Sequence, residues 1–222
     1  MLSIVVPVLD EAAAITATLQ ALAPLRAAGH EVIVVDGGSQ DATAALAAPW
    51  ADAVLAGPRG RARQMNTGAA AARGPVLLFL HADTTLPDGA AAAVSQAVAG
   101  GARWGRFDVA IQGRSRWLPV VAALMNLRSR VTGIATGDQA IFVQTALFRR
   151  LGGYAEQPLM EDVELSRRLR TMVKPACLKE RVLTSGRRWE TRGVWRTIGL
   201  MWWLRWRYWR GEMPEALARA YR

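Results

Sequence analysis

A chain of 222 residues that is 51% hydrophobic, with a formal charge of +10, holds enough apolar material for one sizeable α/β core, and no stretch is biased enough to read as disorder. Its single cysteine, Cys177, excludes an internal disulfide and fits a reducing compartment, and no apolar run reaches the roughly 20 residues of a spanning helix. The charge is almost wholly arginine, Lys174 and Lys179 being the only lysines; such a surplus reflects either composition bias or a preference for anionic partners, nucleoside diphosphates among them.

Leu2–Val8 is a short apolar, β-branched run, the pattern of a buried strand. With no basic segment or cleavage pattern around it, this start reads as strand rather than signal peptide. The expected location is cytoplasmic, with membrane contact only as a peripheral protein on the inner face. Glu11–Ala28 places Ile15, Leu19, Leu22 and Leu25 at helical spacing. Glu31–Val35 is a second strand, closed by Asp36-Gly37-Gly38. A short helix at Asp41–Ala48, a strand at Ala53–Leu55 and a helix at Arg61–Arg73 follow. Val76–Leu80 is a third strong strand, and Pro87–Ala99 another helix. Strands alternating with helices predict an α/β fold, an open, mostly parallel sheet flanked by helices.

The second half is less regular. A strand is expected at Trp104–Ile111, a helix at Trp117–Val131, a strand at Ala140–Val143 and a charged helix at Glu161–Arg170. With no repeat and no linker, the expected organisation is a catalytic domain over residues 1–190 and a helical tail over 191–222. Six of the nine tryptophans lie between Trp189 and Trp209. On a helix, Trp195, Ile198, Trp202, Trp206 and Trp209 share one face. That face either packs on the main domain or lies at a membrane surface, tryptophan at the headgroups and arginine on phosphates.

In parallel α/β sheets, ligands bind beyond the carboxyl ends of the strands. Three strands here end in polar, acidic clusters: Leu9-Asp10-Glu11, Asp36-Gly37-Gly38-Ser39-Gln40-Asp41 and His81-Ala82-Asp83. Each alone reads as a loop or a helix cap; together, on neighbouring strands, they form a rim of carboxylates. In a basic protein such a rim suits Mg²⁺ or Mn²⁺ bridging to phosphate. There is no zinc-type Cys/His spacing, no Gly-x-Gly-x-x-Gly after the first strand and no P-loop.

These segments resemble the GT-A glycosyltransferases of family 2. The resemblance runs through Ser3–Glu11, Val35–Asp41, Arg63-Gln64-Met65-Asn66-Thr67-Gly68, Leu80–Thr84, Gly137-Asp138-Gln139, Leu151–Tyr154, Met160–Leu165 and Arg187-Arg188-Trp189, and covers roughly residues 2–190. The forms His81-Ala82-Asp83, Gly137-Asp138-Gln139 and Pro158-Leu159-Met160-Glu161-Asp162 resemble a short bacterial subgroup often associated with arsenosugar biosynthesis. The resemblance implies that Asp36 reads the nucleotide base and that Pro7, Asp10 and Glu11 line the nucleoside pocket. It implies nucleotide contacts from Arg63, Asn66 and Ala82. Asp83 becomes both a nucleotide contact and the metal ligand of an Asp-x-Asp motif whose first position is His81. Asp162 becomes the catalytic base. Asp138, Glu161, Arg187, Arg188 and Trp189 come to lie by the diphosphate or the acceptor. Arg59 and Arg61, with Arg63, read equally as a solvated face or as holders of donor phosphates.

The implied chemistry suits these residue types. The leaving group is a nucleoside diphosphate whose charge a divalent ion and arginines stabilise. A carboxylate such as Asp162 accepts the acceptor's proton as the new bond forms. The family is generally inverting, and UDP is its most frequent nucleotide. Expected partners are a nucleotide-sugar donor, a small-molecule or lipid acceptor, and a membrane surface at the tail; nucleic acid is not expected. Two rival readings fit less well. A sugar nucleotidyltransferase needs a glycine-rich basic loop where Leu9-Asp10-Glu11 stands. A basic nucleic-acid or membrane-binding module explains the charge and the tail but not the acidic rim.

Overall fold

The computed structural model describes residues 1–221. Eight strands form one mixed sheet in the order β3-β2-β1-β4-β7-β6-β8-β5. Its first half is parallel: β3 (Ala53–Ala56), β2 (Glu31–Asp36), β1 (Leu2–Val8) and β4 (Val76–Phe79). The second half mixes directions. β7 (Phe142–Gln144) runs antiparallel to both β4 and β6 (Trp104–Gln112); β8 (Ala176–Ser185) runs parallel to β6, and the two-residue β5 (Thr84–Thr85) antiparallel to β8.

Alternation along the strands divides the core into two layers. Ile4, Val6 and Val8 face one side with Val32, Val34 and Leu78, against α1 (Ile15–Ala21), α5 (Ala90–Ala99) and α6 (Leu118–Thr132). Val5, Ile33, Val35, Leu77 and Phe79 face the other, against α4 (Arg61–Ala71), α7 (Thr145–Arg150) and α8 (Glu161–Met172). Gly68 lets α4 press onto the sheet, because a Cβ there would lie 2.4 Å from Val5 Cγ1. A third cluster joins Leu159 and Met160 to Leu204 of α10 (Val194–Trp209) and Leu217 of α11 (Pro214–Tyr221), seating the tail on the start of α8.

Several elements differ from expectation. The helix expected over 11–28 breaks at Leu22 into α1 and α2 (Ala23–Ala27), where Pro24 opens the second helix; proline lacks the N–H a continuous helix needs. The helix expected over 41–48 shortens to α3 (Thr43–Ala47), because Asp41 turns back to accept from the Thr43 N–H at 2.9 Å. β5, β8, α7 and α9 (Arg187–Arg192) were not anticipated, and the expected helical tail divides into α10 and α11. In β8 the alternation is interrupted: Phe107 pairs with Leu178 but Asp108 with Arg181, so Lys179 and Glu180 bulge out. Two looped-out residues leave the later side chains on their original faces, but they set three exposed residues, Lys179–Arg181, in a row, which interrupts the period-two signal.

Candidate functional site

The loops after β1 and β2 are sewn together at their ends. Asp10, at a positive φ of 54°, donates its N–H to Ser39 Oγ at 2.9 Å and accepts from the Gln40 N–H at 2.7 Å. The Glu11 N–H donates to Thr43 Oγ1 at 2.8 Å, and the Ala12 N–H to Asp41 at 3.1 Å. Asp36 accepts from the N–H and the hydroxyl of Ser39. Beneath them the Gln64 amide donates to the carbonyls of Val8 and Val35, at 2.7 and 2.8 Å. Burial raises the Glu11 carboxyl above its usual range; Arg187 opposes this and Asp83 adds to it. The acidic ends of β1 and β4 therefore share one electrostatic rim.

Beside this rim lies a cavity of about 440 Å³. Asp83, Asp138, Glu161, Asp162, Arg187, Arg188 and Trp189 all line it, so seven of the residues singled out by sequence converge. Asp83 is exposed beside β5. The ladder beyond it fixes its position: the Ser185 N–H donates to the Asp83 carbonyl at 3.1 Å, and the Thr84 hydroxyl to Thr184 Oγ1 at 3.0 Å. Arg187 and Arg188 open α9 directly after that ladder. Ala82 is buried, its carbonyl accepting from the Thr18 hydroxyl.

Met160, at φ 64°, turns the chain into α8 and sets Glu161 and Asp162 in its first turn. Asp162 Oδ2 accepts from the Gly137 N–H at 2.8 Å, and Oδ1 from the Val163 N–H at 2.7 Å. Glu161 is nearly buried, with 4% of its side chain exposed; Oε1 meets Arg61 at 3.3 Å. Its Oε2 is buried with no partner among the described residues. Burial raises the Glu161 carboxyl, Arg61 opposing and Asp162 reinforcing. Asp138 shifts the other way: burial pushes it up, but the hydrogen bond and charge of His81, with Arg61 and Arg188, outweigh that and lower it.

His81 is thus accounted for. Its Nδ1 lies 3.4 Å from Asp138 Oδ1, and its ring packs so tightly under Gly137 that a Cβ there would lie 2.4 Å from Cε1. It braces the Gly137–Gln139 turn that orients Asp162.

Three expected nucleotide contacts are engaged elsewhere. Pro7 is buried within β1, opposite Val35, which leaves its ring inside the protein. Asn66 spends both ends of its amide on the Tyr154 backbone, at 2.9 Å each. Arg63 pairs with Glu156 at 3.1 Å on the surface. Sequence reasoning underweighted Arg61 and missed Arg205, both of which line the cavity. Arg61 had a local signal only as one of three neighbouring arginines that read equally as a solvated face, and Arg205 lies among the tail tryptophans with none.

Among the described residues no three His, Cys, Asp or Glu side chains converge as a preformed metal cage. The donor set still fits a hard cation. Among the described residues the Asp83 carboxylate has only a long 3.5 Å contact, from the Thr84 hydroxyl, and ions such as Mg²⁺ bind through one or two carboxylates completed by substrate phosphates and water.

The architecture matches solved structures at low identity. The S. aureus TarS 1–349 structure superposes with a TM-score of 0.67 at 19% identity, over 83% of this chain and 60% of that one. The mannosyltransferase PcManGT from Pyrobaculum calidifontis, solved with GDP-Man and Mn²⁺, gives 0.62 at 22%, over 82% and 56%. Glucosyl-3-phosphoglycerate synthase from Mycobacterium tuberculosis, solved with Mg²⁺ and UDP, gives 0.59 at 20%, over 83% and 70%. The chain therefore spans only about 60% of the TarS fragment's length, and the likeness establishes the GT-A fold. No curated protein matches the sequence. The family model described as glycosyl transferase family 2 matches residues 3–147, from the first strand through β7 and into α7, and the chain belongs to that family.

Proposed function

We propose that this protein transfers a sugar, with inversion, from a nucleoside-diphosphate sugar to a hydroxyl acceptor. The observation that carries the reading is one cavity holding Asp83 and the arginines Arg61, Arg187 and Arg188 together with Asp162, whose carboxylate is fixed by the Gly137 N–H. The acceptor oxygen attacks the anomeric carbon while its proton passes to Asp162. The bond from that carbon to the diphosphate breaks, and the electron pair leaves with the diphosphate. Attack from the face opposite the leaving group inverts the centre. The arginines stabilise the departing charge where water is partly excluded. Asp83 is the residue to hold Mg²⁺ or Mn²⁺, which would supply further charge neutralisation at the diphosphate. Asp36, Asp10 and Glu11, on the adjoining rim, would take the nucleoside.

UDP is the first choice of nucleotide. TarS was also solved with UDP, and the mycobacterial synthase with UDP and a divalent ion. The contact between His81 and Asp138 supports the subgroup resemblance, because it joins two of the motifs that carry it. The test is calorimetric titration of UDP, GDP and dTDP with and without Mn²⁺, on wild type and Asp83→Ala. Metal-dependent binding of one nucleotide, lost in the variant, is expected. A folded protein that binds none of them would overturn the reading.

The tail supports membrane-surface contact. Trp202 and Trp209 are 74% and 83% exposed on α10. Trp117, Val120, Leu124, Leu127 and Val131 form a second exposed apolar stripe on α6. The Trp117 and Trp195 rings touch, 5.0 Å between centroids, and join the stripes. Arg207 and Arg210 stack on Trp203 and Trp206. No helix among the described residues is long and apolar enough to cross a membrane, so contact would be at the surface, with tryptophan at the headgroup level.

A further inference from the structure

Two arginines bury side-chain nitrogens that have no hydrogen-bond partner among the described residues. Arg128 of α6 buries its Nε and Nη2 without any hydrogen bond among the described residues, and Arg205 of α10 does the same with its Nε. Arg205 lines the cavity. Burial pulls Arg128 down to about 10, and the next cause is the charge of Arg205 itself. Two like charges set together with unsatisfied donors are costly twice over, once in repulsion and once in lost hydration. An anion between them removes both costs, because guanidinium groups bind carboxylate and phosphate oxygens in paired, charge-assisted hydrogen bonds.

Geometry sets the pair by the proposed base. Arg205 lines the cavity together with Asp162. α6 and α10 meet at their starts, where the Trp117 and Trp195 rings touch, and Arg128 and Arg205 each stand about three turns further along their helices. The charges of Asp162 and Asp138 oppose the lowering that burial imposes on both arginines. The acceptor hydroxyl must reach Asp162, so the pair lies on the acceptor's side.

We propose that Arg128 and Arg205 form an anion subsite for the acceptor, taking a phosphate or carboxylate group carried beside its reacting hydroxyl. The assignment to the acceptor rests on the glycosyltransferase reading of the cavity. It makes the acceptor acidic, and it explains why an arginine from the tail helix is built into the wall.

The probe is inorganic phosphate, titrated calorimetrically into the full chain saturated with UDP and Mn²⁺. The variants are Arg128→Gln and Arg205→Gln, with exposed Arg167→Gln as control. Phosphate is expected to bind the loaded wild type and the control, and to weaken by about tenfold or more in either variant, as for loss of a hydrogen bond to a charged group. UDP affinity should be unchanged. Should Arg128→Gln fail to fold, Arg205→Gln alone gives the reading. Phosphate that binds only the unloaded protein, or binds both variants as well as wild type, overturns the proposal. Failure of the donor reading shows separately, as absence of UDP binding. Phosphate is then titrated into unloaded protein, and loss in the Arg128 and Arg205 variants but not in Arg187→Gln would keep the anion site without its acceptor role. A parallel arm uses phosphatidylcholine vesicles with and without phosphatidic acid. Binding of the acidic vesicles that falls in both variants places the anion on a lipid; binding that does not fall places it on a soluble acceptor.

Discussion

The Gly137 N–H donates to Asp162 Oδ2 at 2.8 Å, and with it a turn between α6 and β7 sets the carboxylate at the head of α8. His81 lies directly beneath that glycine. The proposed base is therefore aimed by two segments remote in sequence, as well as by the Val163 N–H of its own helix.

Asp162→Asn keeps the shape and the Gly137 contact but cannot accept a proton. Sugar transfer should fall by about 10²–10⁴-fold, the range for loss of general base catalysis, while UDP affinity stays within about twofold of wild type. Comparison of single-turnover rates with calorimetric affinities checks this. An unchanged rate would move the base elsewhere in the cavity.

Glu161→Gln should stabilise the free protein at neutral pH. The carboxyl is raised by burial, so its ionised form is disfavoured in the folded state. That cost is absent below its ordinary value near 4.5 and complete once pH exceeds the folded value. At pH 7 the variant should melt higher, by about 2–4 °C for each kcal/mol relieved in a chain of this size, and the gain should vanish in acid. Equal melting temperatures at both pH values would show that Arg61 already compensates the charge.

Glu31 behaves in the opposite sense. Its carboxylate accepts from the Ser3 hydroxyl at 2.5 Å and from Arg73 Nε and N–H at 2.7 and 3.0 Å. Burial pushes its carboxyl up, but these bonds outweigh that and lower it. Its stabilisation is present above the ordinary value near 4.5 and is lost as pH falls through the lower folded value. Urea midpoints should therefore drop below pH 4.5, and the drop should be smaller in Glu31→Gln. Parallel curves for the two proteins would assign the acid sensitivity to other carboxylates.

Trp202→Ala and Trp206→Ala remove exposed rings, so melting should change little. If α10 lies on lipid, partition onto phosphatidylglycerol vesicles should weaken by about tenfold for the pair, and added salt should weaken it further. Leu124→Ser with Leu127→Ser tests the α6 stripe in the same assay. Vesicle binding indifferent to all four substitutions would assign these faces to another partner.

The strands that carry the rim were legible because β1, β2 and β4 are buried on both faces and read as unbroken apolar runs. Asp83, Asp138 and Asp162 were legible only as members of motifs; nothing local says that His81 packs under Gly137. The ion pair of Arg61 with Glu161 arises from a chain crossover, which no residue spacing encodes. Pro7, Asn66 and Arg63 show the converse. Their motif positions suggest a ligand, and in the fold they also serve a strand, a backbone clamp and a surface pair. β8 was missed because its bulge breaks the alternation on which a strand is recognised.

That same bulge guards the sheet. β5 covers only Leu183 and Thr184 of β8, which leaves most of the strand's outer margin without a neighbour. Lys179, Glu180 and Arg181 are exposed along that margin, with the first two looped out of register. Mixed charge on an irregular border gives an incoming strand no straight template. A strand from another copy would meet charge and a break in register along this border rather than a flat edge.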